Sequence, residues 1–311
     1  MVRGDASLLA LTNTAAGAKT HEICRCPGGL VHPPSMSRSG RSILSSISAV
    51  GIAASLTLGA FALDAAPSKT ASLNPAPNKS NSTLTSVPKK LVAPKGCPAG
   101  MAPIPTETGG FCIDRYEGAV VELLPKGKIK AHSPFTPVTN LKVRAIAKKG
   151  IVPQGYISQL EAKDACENAG KRLCTNDEWM RACQGKVPTK YPYGDDEIPG
   201  RCNGDGTRAH PVVELFGTSP DPFADSNKMN DPRINALPGT LSKTGAKAKC
   251  TNTYGVYDMV GNVHEWTADP GGSFKGGYYM DTHQNGDGCY YITTAHGPSY
   301  HDYSTGFRCC K

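Results

Sequence analysis

Two stretches of the chain have small and apolar residues at helical spacing, and a capping box opens each of them. Ser158 stands three residues before Glu161, and Thr175 three residues before Glu178, so each pair can satisfy the first amides of a helix. The periodic positions that follow lie on one face of each predicted helix. They are Ala162, Ala165, Cys166 and Ala169 in the first helix and Trp179, Ala182 and Cys183 in the second. A glycine after each stretch predicts where the helix stops.

Short apolar runs separated by turn residues predict strands over much of the remaining C-terminal part. One run covers residues 110–117, and residues 118–150 are typical of further strand and loop. Asn, Asp, Pro, Gly and Lys are frequent in residues 191–249, which predicts a segment that is mostly loop. Further strand signals lie between glycine-rich turns near the end of the chain, at residues 274–280, 289–292 and 306–309.

The apolar positions of residues 254–266 follow neither the helical period nor the alternation of a strand. Apolar positions such as Trp266 are mixed with glycines, which a helix interior disfavours, and the apolar positions do not alternate as in a plain strand. Asp258, Asn262 and Glu265 add side-chain oxygens to the same stretch. We therefore predict a compact loop with buried apolar anchors and inward-facing oxygen ligands.

The N-terminal part differs in composition from the rest. Residues 36–66 are typical of an export signal, because Met36 is followed by two arginines, an uncharged apolar run and an Ala-Phe-Ala cleavage sequence. An uncleaved membrane anchor is the alternative, since the run is about as long as the shortest spanning helix. Residues 67–96 are rich in Pro, Ser, Thr, Asn and Lys and predict a disordered linker. We expect translation to start at Met36, so that residues 1–35 are not part of the protein.

The composition favours one loop-rich exported domain in residues 97–311. The chain has 311 residues, of which 34 are glycine and 25 are proline, and these values favour many turns over long helices. The net charge is +8, but the basic residues are scattered along the chain. Nucleic-acid binding is therefore not expected. We also expect no stable membrane span in the mature chain.

Twelve cysteines point to disulfide bonds rather than to metal ligands. All of them except Cys24 and Cys26 lie in residues 97–311, and an even number in an exported chain favours pairing. Zinc is the alternative, but the cysteines between residues 166 and 202 contain no CxxC pair. Cys97 and Cys112 flank a turn-rich loop, which one disulfide would close.

Five segments, in the same order along the chain, resemble motifs of the formylglycine-generating, sulfatase-modifying enzyme family. They are residues 165–179, 191–194, 254–266, 275–280 and 306–308. The resemblance covers most of the C-terminal part of the chain and implies the family's fold. That fold is a single compact α+β domain related to C-type lectins, loop-rich, with short strands and two capped helices.

The resemblance also implies specific disulfide pairings. It implies that Cys166 pairs with Cys309 and that Cys183 pairs with Cys289. Each of these bonds would join one predicted helix to the C-terminal strands. Cys202 is a rival partner for Cys183, and the remaining cysteines lie outside the family pattern.

A structural calcium site is a further implication of the resemblance. It would lie in residues 254–266, with side-chain oxygens from Asp258 and Glu265 and backbone carbonyls from Gly261 and Val263. Calcium prefers several oxygen ligands in a flexible geometry, and glycine allows a carbonyl to turn inward. The alternative is that the two carboxylates only accept hydrogen bonds from loop amides.

The chain departs from the family where the family's oxidase reacts. That enzyme uses two cysteines, just after the motif at residues 275–280, to bind copper and the substrate thiol, and thiolates suit Cu(I). The first position is Asp281 here, and only Cys289 approximates the second. Tyr278 replaces the motif serine, and His264 replaces a tryptophan. Formylglycine generation is therefore the weakest of the functions considered.

Histidine and aspartate side chains occupy the loops in which the family keeps its active site. Together with Cys289, the candidate catalytic residues are Asp281, His283, His296 and His301. Histidine and carboxylate ligands suit Fe(II), Zn or Cu(II), so a transition metal at this cluster is one hypothesis. The alternative is that the histidines are only hydrogen-bonded groove residues. Tyrosines in the same loops would then line a groove for a peptide or a glycan.

Three functions follow for an exported bacterial protein of the periplasm or the extracellular space. The first is a binding module that keeps the scaffold and the calcium loop and binds a peptide, protein or glycan. The second is a metal-dependent oxidase, or a related protein- or peptide-modifying enzyme, that uses the His/Asp cluster. The third is a sulfatase activator that works through Cys289. We expect the first function, with the enzymes as alternatives.

Overall fold

The computed structural model describes residues 90–204, 206 and 208–311. The predicted signal peptide, residues 1–35 and residues 67–89 of the predicted linker lie outside the described residues. Cys24 and Cys26 lie outside them as well. None of the helices in the described part of the chain is long and apolar enough to cross a membrane.

The described residues form an α+β domain of short elements joined by long irregular segments. Its strands are β1 (Met101–Ile104), β2 (Phe111–Asp114), β3 (Ala119–Leu123), β4 (Ile129–Ala131), β5 (Val143–Ile146), β6 (Arg172–Leu173), β7 (His264–Trp266), β8 (Phe274–Lys275), β9 (Ile292–Thr293), β10 (Thr305–Phe307) and β11 (Cys309–Cys310). Its α-helices are α1 (Gln159–Glu167), α2 (Asn176–Gln184), α3 (Pro211–Phe216), α4 (Ser226–Met229) and α5 (Arg233–Ala236). Short 3-10 helices cover Pro125–Gly127, Pro222–Ala224 and Gly288–Tyr290.

Both predicted helices are present, and each has its capping box. The Ser158 hydroxyl accepts the amide of Glu161, whose carboxylate accepts the Ser158 amide in return. Thr175 and Glu178 make the same two bonds at the start of α2. Each cap satisfies amides that the helix itself leaves free, an effect worth about 1 kcal/mol. The predicted apolar faces are buried, except that Ala169 lies beyond the end of α1 and is half-buried.

The segment between residues 191 and 249 is more ordered than the predicted loop. It contains α3, α4, α5 and one 3-10 helix. Pro211 occupies the first position of α3, where no amide partner is needed. Asp225 accepts two amides at the start of α4. These helices have four to six residues, which is too short for an apolar period to appear in the sequence.

The strands form three small sheets. One has the order β1-β2-β11-β6 and another β4-β3-β5, and both are antiparallel. The third has the order β10-β7-β8-β9, and in it β10 runs parallel to β7. Strand β8 is shorter than its sequence signal, because Gly276 and Gly277 have φ values of 84° and 71° and turn the chain away from the sheet.

Strand β11 consists of two adjacent cysteines that face opposite sides of their sheet. Successive side chains of a strand alternate, so the two cysteines reach different partners. Cys309 is bonded to Cys166 of α1 in one of the large hydrophobic clusters. Cys310 is bonded to Cys174, just before α2, in the other large cluster. The C-terminal strand therefore holds both halves of the core together.

All ten cysteines from residue 97 onward are paired in the structure. The disulfides are Cys97–Cys112, Cys166–Cys309, Cys174–Cys310, Cys183–Cys289 and Cys202–Cys250. The first, second and fourth of these are pairs named by the sequence analysis. Cys202 is bonded to Cys250, so the rival pairing of Cys202 with Cys183 is wrong. Such a density of disulfides is typical of exported proteins.

We predict that a maleimide labels none of these ten cysteines in the denatured but unreduced full chain. Each of these ten sulfurs is in a disulfide, while reduction should expose all ten to the reagent. Intact-mass and peptide mass spectrometry measure the labelling. Labelling of the peptide that contains Cys289 before reduction would contradict the pairing, and the reduced sample is the positive control.

Candidate functional site

Residues 254–266 form the predicted loop and then enter β7. The φ values of Asp258, Gly261 and Asn262 are 56°, 79° and 65°, so the backbone turns at all three positions. Gly261 cannot carry a side chain, because a Cβ would lie 2.3 Å from the carbonyl oxygen of Asn203. The apolar side chains at and beside these turns are buried, as the sequence predicts. They are Val256, Met259, Val260 and Val263.

A buried ion pair joins this loop to the C-terminal strands. The Arg308 guanidinium donates to the Glu265 carboxylate at 2.7 Å, and neither side chain is more than 1% exposed. Arg308 also donates to the carbonyls of Asp114 and Tyr257, at 2.9 and 2.8 Å. Glu265 accepts the indole N–H of Trp179 at 2.7 Å. These groups link β2, α2, β7 and the loop through one hydrogen-bonded cluster, which we call the Arg308 hub.

Two further buried carboxylates lie close to the Arg308 hub. Glu117 accepts the side-chain amide of Asn262 at 2.7 Å, and Asp258 accepts the backbone amide of Gly245 at 2.6 Å. Burial raises the pKa of Glu117 well above its usual value, and the negative charges of Asp258 and Glu265 raise it further. Burial also raises the pKa of Asp258 to about 6. Three buried carboxylates beside one guanidinium would leave an excess of negative charge if all three were ionised.

This excess of buried negative charge fits a cation at the expected calcium loop. Both carboxylate oxygens of Glu265 are already engaged by Arg308. Within residues 90–204, 206 and 208–311, no group of three or more His, Cys, Asp or Glu side chains could hold a metal ion. Calcium at this loop would therefore depend on Asp258 together with the backbone carbonyls of Gly261 and Val263.

A cavity of about 300 Å³ lies beside β7, and we call it the His264 cavity. A second cavity, of about 630 Å³, shares Phe223, Met229 and Tyr300 with it, so the two cavities adjoin, and we call them together the groove. Most of the side chains around the first cavity are aromatic or carry a hydrogen-bonding group. Its lining residues are Phe223, Met229, His264, Phe274, Tyr278, Asp281, Gln284, Asn285, Tyr291, Thr293, His296, Tyr300, Asp302, Tyr303 and Ser304.

His264 lies in the wall of this cavity within a chain of hydrogen-bonding contacts. Its Nδ1 is 3.1 Å from the Ser304 hydroxyl, and its Nε2 is 3.3 Å from the Tyr291 hydroxyl. Ser304 donates in turn to Asp302 at 2.7 Å, and Tyr291 donates to Asp281 at 3.0 Å. The chain therefore runs between two carboxylates, with the imidazole in its middle.

The two contacts of the His264 ring in this hydrogen-bonded network cannot both be hydrogen bonds. Burial lowers the pKa of His264 to about 3, with a further contribution from His296, so the ring is neutral at pH 7 and has a single N–H. The hydroxyls of Ser304 and Tyr291 donate to carboxylates and can only accept from the ring. One of the two ring contacts therefore lacks a proton, and His264 is held as a neutral, hydrogen-bonded wall residue.

Two of the predicted catalytic residues line the His264 cavity, together with several of the predicted tyrosines. Asp281 lies there, and His296 stacks on Tyr300 with ring centroids 3.7 Å apart. Not every tyrosine of these loops faces the groove, because Tyr279 is buried in the core and Tyr290 is about half exposed. The tyrosines that line the cavity are Tyr278, Tyr291, Tyr300 and Tyr303.

The other predicted catalytic residues lie elsewhere. His283 makes hydrogen bonds to Asp287 and Glu197 at the surface, and the bond to Asp287 is the main reason why its pKa is raised. His301 lines the second cavity rather than the first. Cys289 is in a disulfide and cannot act as a free thiol. The structure therefore does not bring the histidines and Asp281 together in one metal-ligand shell.

Sequence reasoning did not identify Glu117, Ser304 or the groove wall at Phe223. Glu117 reaches Asn262 across 145 residues of sequence, so no local spacing could reveal the contact. An acidic residue in the apolar stretch around β2 and β3 was the only available signal. Ser304 is placed beside His264 by the parallel pairing of β10 with β7, which the sequence does not specify.

Comparisons with known proteins agree with this architecture. The family model described as "Sulfatase-modifying factor enzyme 1-like domain" matches residues 132–311. An inactive C-alpha-formylglycine-generating enzyme 2 from Bos taurus is 33% identical over 128 residues, covering 40% of this chain and 35% of the relative. A formylglycine-generating enzyme from Thermomonospora curvata is 31% identical over 121 residues, covering 38% of this chain and 33% of the relative.

The chain thus spans about a third of the length of these two curated relatives. Among solved structures, PvdO from Pseudomonas aeruginosa is similar with a TM-score of 0.39 and 14% sequence identity. That alignment covers 71% of this chain and 90% of the other.

We predict that Glu117→Gln raises the Tm of the full chain at pH 7.5 in the presence of a chelator, by about 2–4 °C for each kcal/mol gained. The pKa of Glu117 is higher in the folded protein than its value of 4.5 in the unfolded chain. The ionisable carboxyl group therefore costs no stability below pH 4.5, where it is protonated in both states. It destabilises the fold increasingly as the pH rises from 4.5 to the folded pKa. Glutamine cannot ionise, so the gain should shrink towards zero near pH 4.5. Differential scanning fluorimetry at both pH values measures the effect.

The matched control is Glu167→Gln. Glu167 pairs with Lys163 on the exposed side of α1, and such surface pairs contribute little to stability. Its Tm should therefore stay close to that of the wild type at both pH values. A Tm of Glu117→Gln that falls equally at both pH values would contradict the prediction, since Glu117 would then act only through its hydrogen bonds.

Proposed function

The chain belongs to the sulfatase-modifying factor enzyme 1-like domain family, and we propose that it is an exported binding module that holds a peptide or a glycan in the groove beside His264. The chemistry of the groove carries this proposal. Six Phe and Tyr rings line the His264 cavity, and none of its described lining residues is a cysteine. Aromatic rings of this kind provide a large contact area with little loss of side-chain freedom.

The sulfurs of the chain argue against formylglycine chemistry. Asp281 stands at the position of the oxidase's first cysteine, and Cys289 is bonded to Cys183 in the core. A sulfur in a disulfide cannot present a thiolate to Cu(I) or to a substrate thiol. One similar relative is itself named as inactive, which agrees with a member of the family that has kept the scaffold without the reaction.

The groove combines rigid rings with fixed hydrogen-bonding groups. The Tyr300 hydroxyl is held by Asp302 at 2.6 Å, and Tyr291 is held by Asp281. The second cavity adds side chains that can pair with the backbone of a ligand, among them Asn227. Because these groups are ordered by contacts within the protein, a ligand loses less free energy in ordering them on binding. Two adjoining cavities suit an extended chain such as a peptide or an oligosaccharide.

A structural calcium ion in the loop of residues 254–266 is part of the same proposal. The excess of negative charge around the Arg308 hub supports it, as do the turned backbone positions near Gly261. The residues that would hold the ion are Asp258 and the carbonyls of Gly261 and Val263, because Arg308 and Trp179 already engage the Glu265 carboxylate. Calcium would supply charge neutralisation and rigidity to the loop.

The proposed location is the bacterial periplasm or the extracellular space. The apolar run in residues 36–66 supports export, as a cleaved signal followed by a linker and the domain of residues 97–311. The five disulfides support an oxidising compartment.

We predict that the full chain selects ligands from a random dodecapeptide library or a glycan array and that Tyr300→Ala weakens the best of these by about tenfold. Tyr300 lines both cavities, so its removal takes contact area from the centre of the groove. Fluorescence anisotropy with the selected ligand measures the affinity. The matched control is Tyr290→Ala, because Tyr290 is about half exposed and lies outside both cavities.

Two results would count against a non-oxidase binding module. Equal ligand binding by the wild type and Tyr300→Ala would exclude the groove as the site. Conversion of a cysteine peptide to formylglycine by the copper-treated full chain, detected by mass spectrometry, would overturn the assignment as a module without oxidase activity.

We predict that millimolar calcium raises the Tm of the full chain relative to a chelator. An ion that binds only the folded state stabilises it by about 2.7 kcal/mol at a hundred times its Kd. Asp258→Asn should abolish the shift, whereas Asp196→Asn, at an exposed position away from the loop, should keep it. Equal Tm values with calcium and with chelator in the wild type would contradict the calcium site.

A further inference from the structure

The His264 cavity contains two carboxylates, and none of its described lining residues is Lys or Arg. Asp302 is only 5% exposed, and Asp281 is half-buried. Within the part of the chain that the structure describes, neither carboxylate takes part in an ion pair. Buried charges in proteins are normally paired with an opposite charge. The cavity is therefore a negative site in a chain whose net charge is +8.

Aromatic rings surround these two carboxylates. The face of an aromatic ring carries partial negative charge and attracts a cation that lies within about 6 Å of its centre. The contribution grows where water is excluded, as it is between closely packed rings. The six rings that line the cavity are Phe223, Phe274, Tyr278, Tyr291, Tyr300 and Tyr303.

The hydrogen bonds of Asp302 leave it one free acceptor position. Its Oδ1 accepts the amide and the hydroxyl of Ser304, at 2.8 and 2.7 Å. Its Oδ2 accepts the Tyr300 hydroxyl at 2.6 Å. A carboxylate offers about four acceptor positions on its two oxygens, so one position remains, on Oδ2.

Asp281 is arranged in the same way. Its Oδ1 accepts the amides of His283 and Gln284, at 2.9 and 3.0 Å. Its Oδ2 accepts the Tyr291 hydroxyl at 3.0 Å. One acceptor position therefore remains on Oδ2 here too. Each carboxylate can take one additional hydrogen bond on a single oxygen, and neither can take two parallel bonds.

We propose that the His264 cavity binds an alkylammonium group, presented as the side chain of a lysine residue in a peptide. An ammonium donates separate N–H bonds in different directions, so a single free acceptor position on a carboxylate is enough for it. A guanidinium prefers two parallel acceptors on one carboxylate, which neither Asp281 nor Asp302 offers. The proposal rests on the binding function proposed above and names the ligand class of the same groove.

The second cavity suits the residues next to this lysine. It adjoins the His264 cavity at Phe223, Met229 and Tyr300 and is the larger of the two, at about 630 Å³. Its lining includes Ser226 and Asn227, whose side chains can bond to peptide groups. None of its described lining residues is Asp, Glu, Lys or Arg. The ammonium group of the ligand would therefore bind in the His264 cavity, and the peptide backbone next to the lysine would lie in the second cavity.

The experiment is a titration of the full chain with small probes, followed by calorimetry or ligand-observed NMR. The probes are Nα-acetyl-lysine methylamide, the corresponding norleucine and arginine compounds, and n-butylammonium. We expect the lysine compound to bind about tenfold or more tightly than the norleucine compound, which has the same four side-chain carbons without the ammonium group. We expect the arginine compound to bind more weakly than the lysine compound. Equal binding of n-butylammonium would assign the site to free amines, and weaker binding would assign it to lysine within a peptide.

Variants test whether the two carboxylates carry the effect. Asp281→Asn and Asp302→Asn should each weaken lysine binding by about tenfold while norleucine binding stays unchanged. Asp196→Asn is the matched control, because Asp196 is exposed and lies outside the cavity. Phe223→Leu tests the rings without disturbing the hydrogen bonds, since Phe223 is 45% exposed at the cavity, and it should weaken lysine binding severalfold.

The outcomes separate this inference from the proposed function. If norleucine binds as tightly as lysine, or arginine binds more tightly than lysine, the alkylammonium site is wrong. Library peptides that bind in the groove regardless of lysine would also overturn it, while leaving the binding module intact. If no member of the peptide library or the glycan array binds, the proposed function itself fails.

Discussion

The structure depends on one buried guanidinium. Arg308 lies between β10 and β11 and joins the loop of residues 254–266 to β2 and, through Glu265, to α2. A buried charge is stable only when it is paired and hydrogen-bonded, and loss of its partner typically costs about 3–5 kcal/mol. Segments far apart in sequence must therefore meet at this point before the fold is stable. The turned loop brings the Tyr257 carbonyl and the Glu265 carboxylate to the Arg308 guanidinium.

The same constraint positions the groove. Side chains alternate along β7, so when Glu265 faces the Arg308 hub, His264 and Trp266 face the opposite side. Both of these rings pack against Phe274, and His264 then lines the cavity. The pairing of β10 with β7 sets Thr305 opposite His264 and so brings Ser304 to the imidazole. A shift of one residue would exchange the two faces, so the scaffold and the site share a single register.

Local structure could be predicted from the sequence itself, whereas long-range contacts were predicted only where the family resemblance implied them, as for Cys166–Cys309 and Cys183–Cys289. The capping boxes at Ser158 and Thr175 predicted both helices, because a cap is written within four residues. Resemblance to a family indicated the α+β fold and the loop of residues 254–266. The short helices α3 to α5 were not predicted, because they are too short to show a complete apolar period. Convergence of the histidines on a metal was one of two hypotheses for their loops, and in the structure His283 contacts surface carboxylates while His301 lines the second cavity. Loop position alone does not fix the direction of a side chain.

The adjacent cysteines of β11 also set the order of events during synthesis. Cys309 and Cys310 follow every other element of the domain, and their partners lie 143 and 136 residues earlier. Neither of these two disulfides can form while the preceding elements emerge from the ribosome or from a translocation channel. The other three disulfides need no residue of β11, so these two are the bonds that must wait for the last strand. Removal of residues 309–311 would therefore abolish both bonds at once.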